Sequence, residues 1–304
     1  MIVTSYPYWP RIFKQIGGLL VTFVLLSVVA LLVERHGLLL RYITSPEMAV
    51  TVLGAALSIL LAFRTNSAYA RWWEARTLWG ALVNNSRSIA RQAISFSRSG
   101  NEERPAAKLF SRTFVYRQIA FVHALRCALR KEPPWHEIQS FLDAQGLEAL
   151  KTAQSVPAAI LQEMGNQLTE AAEQQTISEI ELHRIDQTLS DLSNVLGACE
   201  RIKNTPLPRQ YDYYPELLIK VYCTVLPFII VDEVGLLTPV ITIVVGSAFL
   251  ILNRIGKNLE DPFENTPYDV PMTALSRTIE INLRQALGER EVPPPVTPVK
   301  GVLM

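Results

Sequence analysis

Apolar positions gather in four long runs, and between the second and third the pattern turns amphipathic. Residues 16–33 and 48–63 carry no charge, residues 217–231 carry only Lys220, and residues 234–253 are again uncharged. A helix needs about 20 apolar residues to cross a bilayer, so the first run reads as a membrane helix. A signal peptide is the rival reading, but the run exceeds the usual apolar core of about 7–15 residues and no Ala-x-Ala site follows it. The second run, of sixteen residues, is slightly short for a lone lipid-exposed span. Either it is a buried core helix, or its polar end lies among other helices of the protein. The last two runs read as a membrane hairpin, kinked at Pro227 and turned at Asp232-Glu233. Asp212, Glu216 and Lys220 stand at four-residue steps on its first helix. Glu216 and Lys220 can pair there, and charges so near a membrane segment face protein or water.

From Asn66 to about Arg209 apolar residues recur at helical intervals, as in Leu78, Leu82, Ile89 and Ala93, or Phe110, Phe114, Phe121 and Leu125. Gly100-Asn101 and Glu132-Pro133-Pro134 break the pattern. Helices are expected over 135–144, 147–153, 158–174 and 178–201, then over 273–287 after a polar loop. No alternating strand pattern of any length occurs, so the fold class is all-α. The expected organisation is a first transmembrane pair (1–65), a cytoplasmic helical region (66–210), a second transmembrane hairpin (211–255), a cytoplasmic C-terminal helix (256–290) and a mobile Pro-rich tail (291–304). Pro7, Trp9, Pro10, Arg11 and Lys14 read as a cytoplasmic lead-in with aromatic anchoring.

Charge supports that orientation. Residues 64–98 hold six arginines and one acid, with Tyr69, Trp72 and Trp73 interleaved, as expected where a chain leaves a membrane on its cytoplasmic side. Arg35 and Arg41 on the far side run against the rule. Four spans with both termini cytoplasmic, in an inner (plasma) membrane, satisfy most of the pattern. The formal charge of +1 argues against nucleic acid as a partner. Cys127, Cys199 and Cys223 are odd in number and far apart, which suggests neither a disulfide framework nor a zinc site. His36, His123, His136 and His183 lack metal-ligand spacing. No phosphate loop, nucleophile elbow or HExxH appears. Glu74 can pair with Arg71 on a helix surface. Cys199-Glu200-Arg201 offers a thiol near a base, yet reads better as a buried cysteine beside helix-end charges. An enzyme has little to stand on, and no cofactor is expected.

Three motifs, in order, resemble the bestrophin family in its bacterial branch: Arg71-Trp72-Trp73 after the second apolar run, Ala198 to Pro208 before the hairpin, and Leu259-Glu260-Asp261-Pro262-Phe263-Glu264 after it. The resemblance covers roughly residues 1–290 and implies a homopentameric ion channel in the lipid bilayer, passing small monovalent ions. It places a narrow neck at Ala55, Ile59 and Phe63, which from spacing alone would be ordinary helix packing. Alanine at the first position implies a short constriction centred on Ile59 and Phe63. A second aperture, at the cytoplasmic exit, falls on Ile180 beside Glu179. Without the family, Ile180 reads as a core isoleucine flanked by exposed glutamates. Five copies of Glu179 would enrich cations, so a lean towards Na+ or K+ is expected, with the chloride selectivity of animal bestrophins as the alternative. A membrane-anchored enzyme or a non-conducting scaffold is the alternative of another class. Asp261 and Asp269 are weak counterparts of the animal calcium clasp, with Asn265 and Thr266 where more acid is expected. Calcium needs about six to eight oxygen ligands, so a structural turn is the expected role and no metal site is assigned.

Overall fold

The computed structural model describes residues 1–3, 9–36, 47–97 and 105–304. Pro7, Arg41 and the Gly100-Asn101 positions, and the side chains of Trp9, Pro10 and Arg11, lie outside the described residues. The chain folds as helices α1 (Trp9–Arg35), α2 (Glu47–Phe96), α3 (Pro105–Arg130), α4 (Trp135–Ile138), α5 (Ala144–Leu150), α6 (Val156–Glu173), α7 (Glu179–Asn204), α8 (Gln210–Val234), α9 (Thr238–Glu260) and α10 (Met272–Ala286). Among the described residues no strand forms, only isolated bridges between Ile2 and Val302 and between Val299 and Val302. Among the described residues three stretches are long and apolar enough to cross a membrane: Phe13–Arg35, Met48–Phe96 and Gln210–Glu260. The third holds two helices, α8 and α9.

Two compact units divide the chain. One comprises residues 4–71 and 206–261 and the other residues 1–3, 72–205 and 262–304. In the first, α1 packs on α8 and α9, and α8 on α9. Phe23, Leu57, Leu61, Ile219, Cys223 and Leu250 are central to its core. Close approach is built in at Gly54, where an added Cβ would meet the Tyr222 hydroxyl at 3.0 Å, and at Gly246, where it would meet the Phe23 ring at 3.1 Å. The hairpin turns at Gly235, whose φ of +52° suits a residue without Cβ. Asp232 and Glu233, the expected turn, are still helical.

The second unit is built on α3, which packs against α4, α6, α7 and α10. Trp79, Phe114, Phe121, Met164, Leu192 and Ile279 are buried at its centre. Sequence signals set its boundaries. Lys131, at φ +58°, ends α3 just before Glu132-Pro133-Pro134. Ser178 and Glu181 form a capping box at the start of α7, satisfying two helix-end donors. Asp143 accepts from the Gly146 amide and starts α5 at Ala144, three residues before the expected boundary at 147.

Two expectations need larger correction. The second apolar run and the amphipathic stretch after it are one helix of 50 residues, α2. Between Arg64 and Phe96 the only breaker is Gly80, and a single interior glycine costs about 1 kcal/mol, too little to end a packed helix. The Pro-rich tail is tied down at its end. The Val3 amide donates to the Gly301 carbonyl at 2.9 Å, the Leu303 amide to Met1 at 2.9 Å, and the Ala274 amide to Met304 at 2.8 Å.

Candidate functional site

On α2 within the first unit, one face serves the core and the other is left open. Leu57, Leu61, Arg64 and Ala68 are buried, whereas Ala55, Ile59 and Phe63 are exposed, Ile59 at 58% and Phe63 at 64%. Positions i, i+4 and i+8 share one stripe of a helix, so the three residues share an uncovered apolar face. Packing into this chain's own core is not their role.

Immediately after Phe63 comes a fully buried cation. Arg64, 1% exposed, meets Asp212 of α8 at 2.5 Å and Glu260 of α9 at 3.4 Å. It also donates to the Asn253 side chain, and to the Asn253 carbonyl at 3.2 Å. Lys257 adds bonds to Glu216 at 2.6 Å and Asp212 at 3.4 Å, and Lys220 pairs with Glu216 at 2.9 Å. The Glu216–Lys220 pair expected from spacing is therefore present, and Asp212 and Glu216 face protein. Arg64 is the residue that sequence reasoning undervalued as part of a positive flank. Its signal is its place as the first charge after sixteen uncharged residues, where burial demands a partner.

Glu179 and Ile180 open α7 in the second unit, and both are exposed, Ile180 at 72%. A core isoleucine is excluded. Acids in a first helical turn, as Glu179 and Glu181 are, sit favourably against the helix dipole. Asp261 is exposed at the end of α9. Asp269 is 3% exposed, and both of its oxygens accept from Thr266, from the amide at 3.1 Å and from the hydroxyl. Burial pushes the Asp269 carboxyl above its ordinary range, and the Thr266 hydrogen bonds pull against it. A carboxylate so engaged closes a turn. Among the described residues no group of three or more His, Cys, Asp or Glu side chains could hold a metal ion.

A polar centre lies between α3, α4 and α10. His123, 2% exposed, stacks on Phe141 with centroids 5.7 Å apart. Its Nε2 lies 3.2 Å from Glu280 and its Nδ1 3.7 Å from Glu137, which in turn holds Arg126 at 2.8 Å. Arg277 and Arg284 also reach Glu280, at 3.3 and 3.6 Å. Burial alone would raise the Glu280 carboxyl, but His123, Arg277 and Arg284 outweigh it and hold it below the ordinary range. Nothing local in the sequence announces this cluster, because His123 and Glu280 are 157 positions apart. Glu74 pairs with Arg201 of α7. All three cysteines are buried and free, and burial pushes the Cys199 thiol up to about 12, which removes it as a nucleophile.

The family model described as Bacterial/Fungal Bestrophin protein matches residues 8–285. The voltage-dependent anion channel-forming protein YneE of Salmonella typhi is 34% identical over 96% of each chain. That of Escherichia coli K12 is 33% identical over 98% of each. A crystal structure of a bacterial bestrophin homolog from Klebsiella pneumoniae superposes with a TM-score of 0.83 at 29% identity, covering 90% of this chain and 98% of that one.

Proposed function

Since the chain belongs to the bacterial and fungal bestrophin family, we propose that five copies form a ring in an inner membrane and pass small monovalent ions through an apolar neck. In this reading α1, the first part of α2, α8 and α9 cross the bilayer, residues 66–210 and 256–290 are cytoplasmic, and both termini lie inside. The observation that carries it is the open apolar stripe of Ala55, Ile59 and Phe63. Side chains of this kind, left uncovered by their own chain and backed by a buried Leu57–Leu61 face, are free to line a constriction with their copies. A ring without charge cannot sort ions by sign, and controls passage by width and by dewetting.

Selectivity then rests elsewhere. The curated relatives are named for anion channel formation, which puts anions first. The expected lean towards cations has no support in those names, and the one observation in its favour is Glu179, exposed beside Ile180. Five such carboxylates around an aperture would concentrate cations. Single-channel recording of purified protein in asymmetric NaCl decides between the readings. A reversal potential at the chloride value establishes the anion channel, one at the sodium value the cation channel, and no current in either direction removes the channel proposal.

A further inference from the structure

Within the second unit, an open cleft of about 560 Å3 lies between the first turns of α3, the end of α2 and the residues that follow α10. Volumes of roughly 300–1,000 Å3 are usual for small-molecule sites. Four cations line it, Lys108, Arg112, Arg284 and Arg290, against two acids, Glu289 and Glu291. One of those acids is already spent. Both oxygens of Glu289 are occupied, one by the Tyr116 hydroxyl and the other by Arg284 Nε at 2.6 Å. Burial alone would raise the Glu289 carboxyl, but these two hydrogen bonds, with the charges of Arg284 and Arg112, outweigh it and hold it below the ordinary range. Arg284 also donates to the Glu291 carbonyl at 3.0 Å.

Among the described residues no ion pair engages Lys108, Arg112 or Arg290, although the Arg112 charge also acts on Glu289. Arg112 is held in place, its guanidinium 5.4 Å from the centre of the Tyr116 ring, as cation–π attraction favours. Ile94, Ala107 and Leu287 add apolar surface to the lining. A cleft whose described lining combines a surplus of cations with apolar side chains suits an anion with an organic body. A carboxylate carries one charge, whereas a phosphate monoester carries about 1.5–2 negative charges at neutral pH with three acceptor oxygens, and arginine recognises it bidentately.

We propose that this cleft binds a small phosphate monoester, its phosphate held by Lys108, Arg112 and Arg290. The test is calorimetric titration of the detergent-purified full chain with AMP, ribose 5-phosphate, inorganic phosphate, gluconate and dioctanoyl phosphatidic acid. Saturable binding of a soluble monoester is expected, weakened at least tenfold by R112Q and by the K108Q/R290Q pair and unchanged by K131Q. Lys108, Arg112, Arg290 and Lys131 are, apart from the Arg112–Tyr116 contact, on the open surface, so equal melting temperatures will show that the variants fold. Failure of both soluble monoesters to bind overturns the proposal, as does binding indifferent to the cleft substitutions. So does inorganic phosphate or gluconate binding as tightly as the monoesters, since the organic body and the double charge would then count for nothing. Binding of the phosphatidic acid alone would assign the same chemistry to a lipid headgroup and overturn the soluble ligand.

Discussion

Removing the carboxylate of Glu280 tests the buried polar centre most directly. The group is 4% exposed and touches His123, Arg277 and Arg284, so E280A leaves three cationic or polar groups without their shared partner. Breaking a buried pair by deleting one member typically costs about 3–5 kcal/mol. Here the two arginines are partly exposed and Arg284 keeps Glu289, which lowers the expectation to about 2–3 kcal/mol. For a unit of this size that is a fall in melting temperature of about 4–12 °C, read by intrinsic tryptophan fluorescence of the purified protein at pH 7.5. E280Q should lose less, because its amide can still bond His123. The exposed pair between Glu148 and Lys151 supplies the control, and E148Q should move stability by no more than about 0.5 kcal/mol. The pH dependence has a definite sign. A carboxyl held below its ordinary 4.5 stabilises the fold above that value, and the contribution disappears as pH falls through the folded-state value. The gap between parent and E280Q should therefore be full at pH 7 and close below about pH 4.5. A fall under 2 °C in E280A (about 0.5–1 kcal/mol), or a gap that widens with acid, would refute the reasoning.

Truncating the neck should act on current without acting on the fold. Ile59 and Phe63 are exposed, so I59A and F63A should change stability by no more than about 0.5 kcal/mol while raising single-channel conductance; unchanged currents in both would remove the neck assignment. E179Q should shift the reversal potential away from the cation value if Glu179 lines the aperture, and leave it fixed if it does not. Arg64 should be intolerant of neutral replacement. R64M leaves Asp212 and Glu260 facing an apolar chain, and a loss of about 3 kcal/mol or more should appear as lowered yield and melting temperature, partly restored in R64M/D212N.

What could be read in advance follows the range of the forces involved. Periodicity, caps and breakers act within a few residues, so the helical class, the capping box at Ser178 and the break before Trp135 were legible in the chain. The continuity of α2 is hidden by the change of composition at Arg64, although nothing there stops a helix. Long-range pairings left weaker traces. Asp212, Glu216 and Lys220 were visible as a ladder, but its partners Arg64 and Lys257 sit on other helices. The His123–Glu280 bond and the pairing of residues 1–3 with the chain's end have no local signature at all. By pattern Ile180 reads as a core isoleucine, and its exposure removes that reading.

The burial of Cys127, Cys199 and Cys223 makes the natural chain a quiet background for chemical probing. A cysteine introduced at position 59, 63 or 180 would present the one thiol within easy reach of a water-borne alkylating reagent. Rates of its modification from either side of a sealed vesicle would then map which stretches water visits, with no native thiol needing to be replaced first.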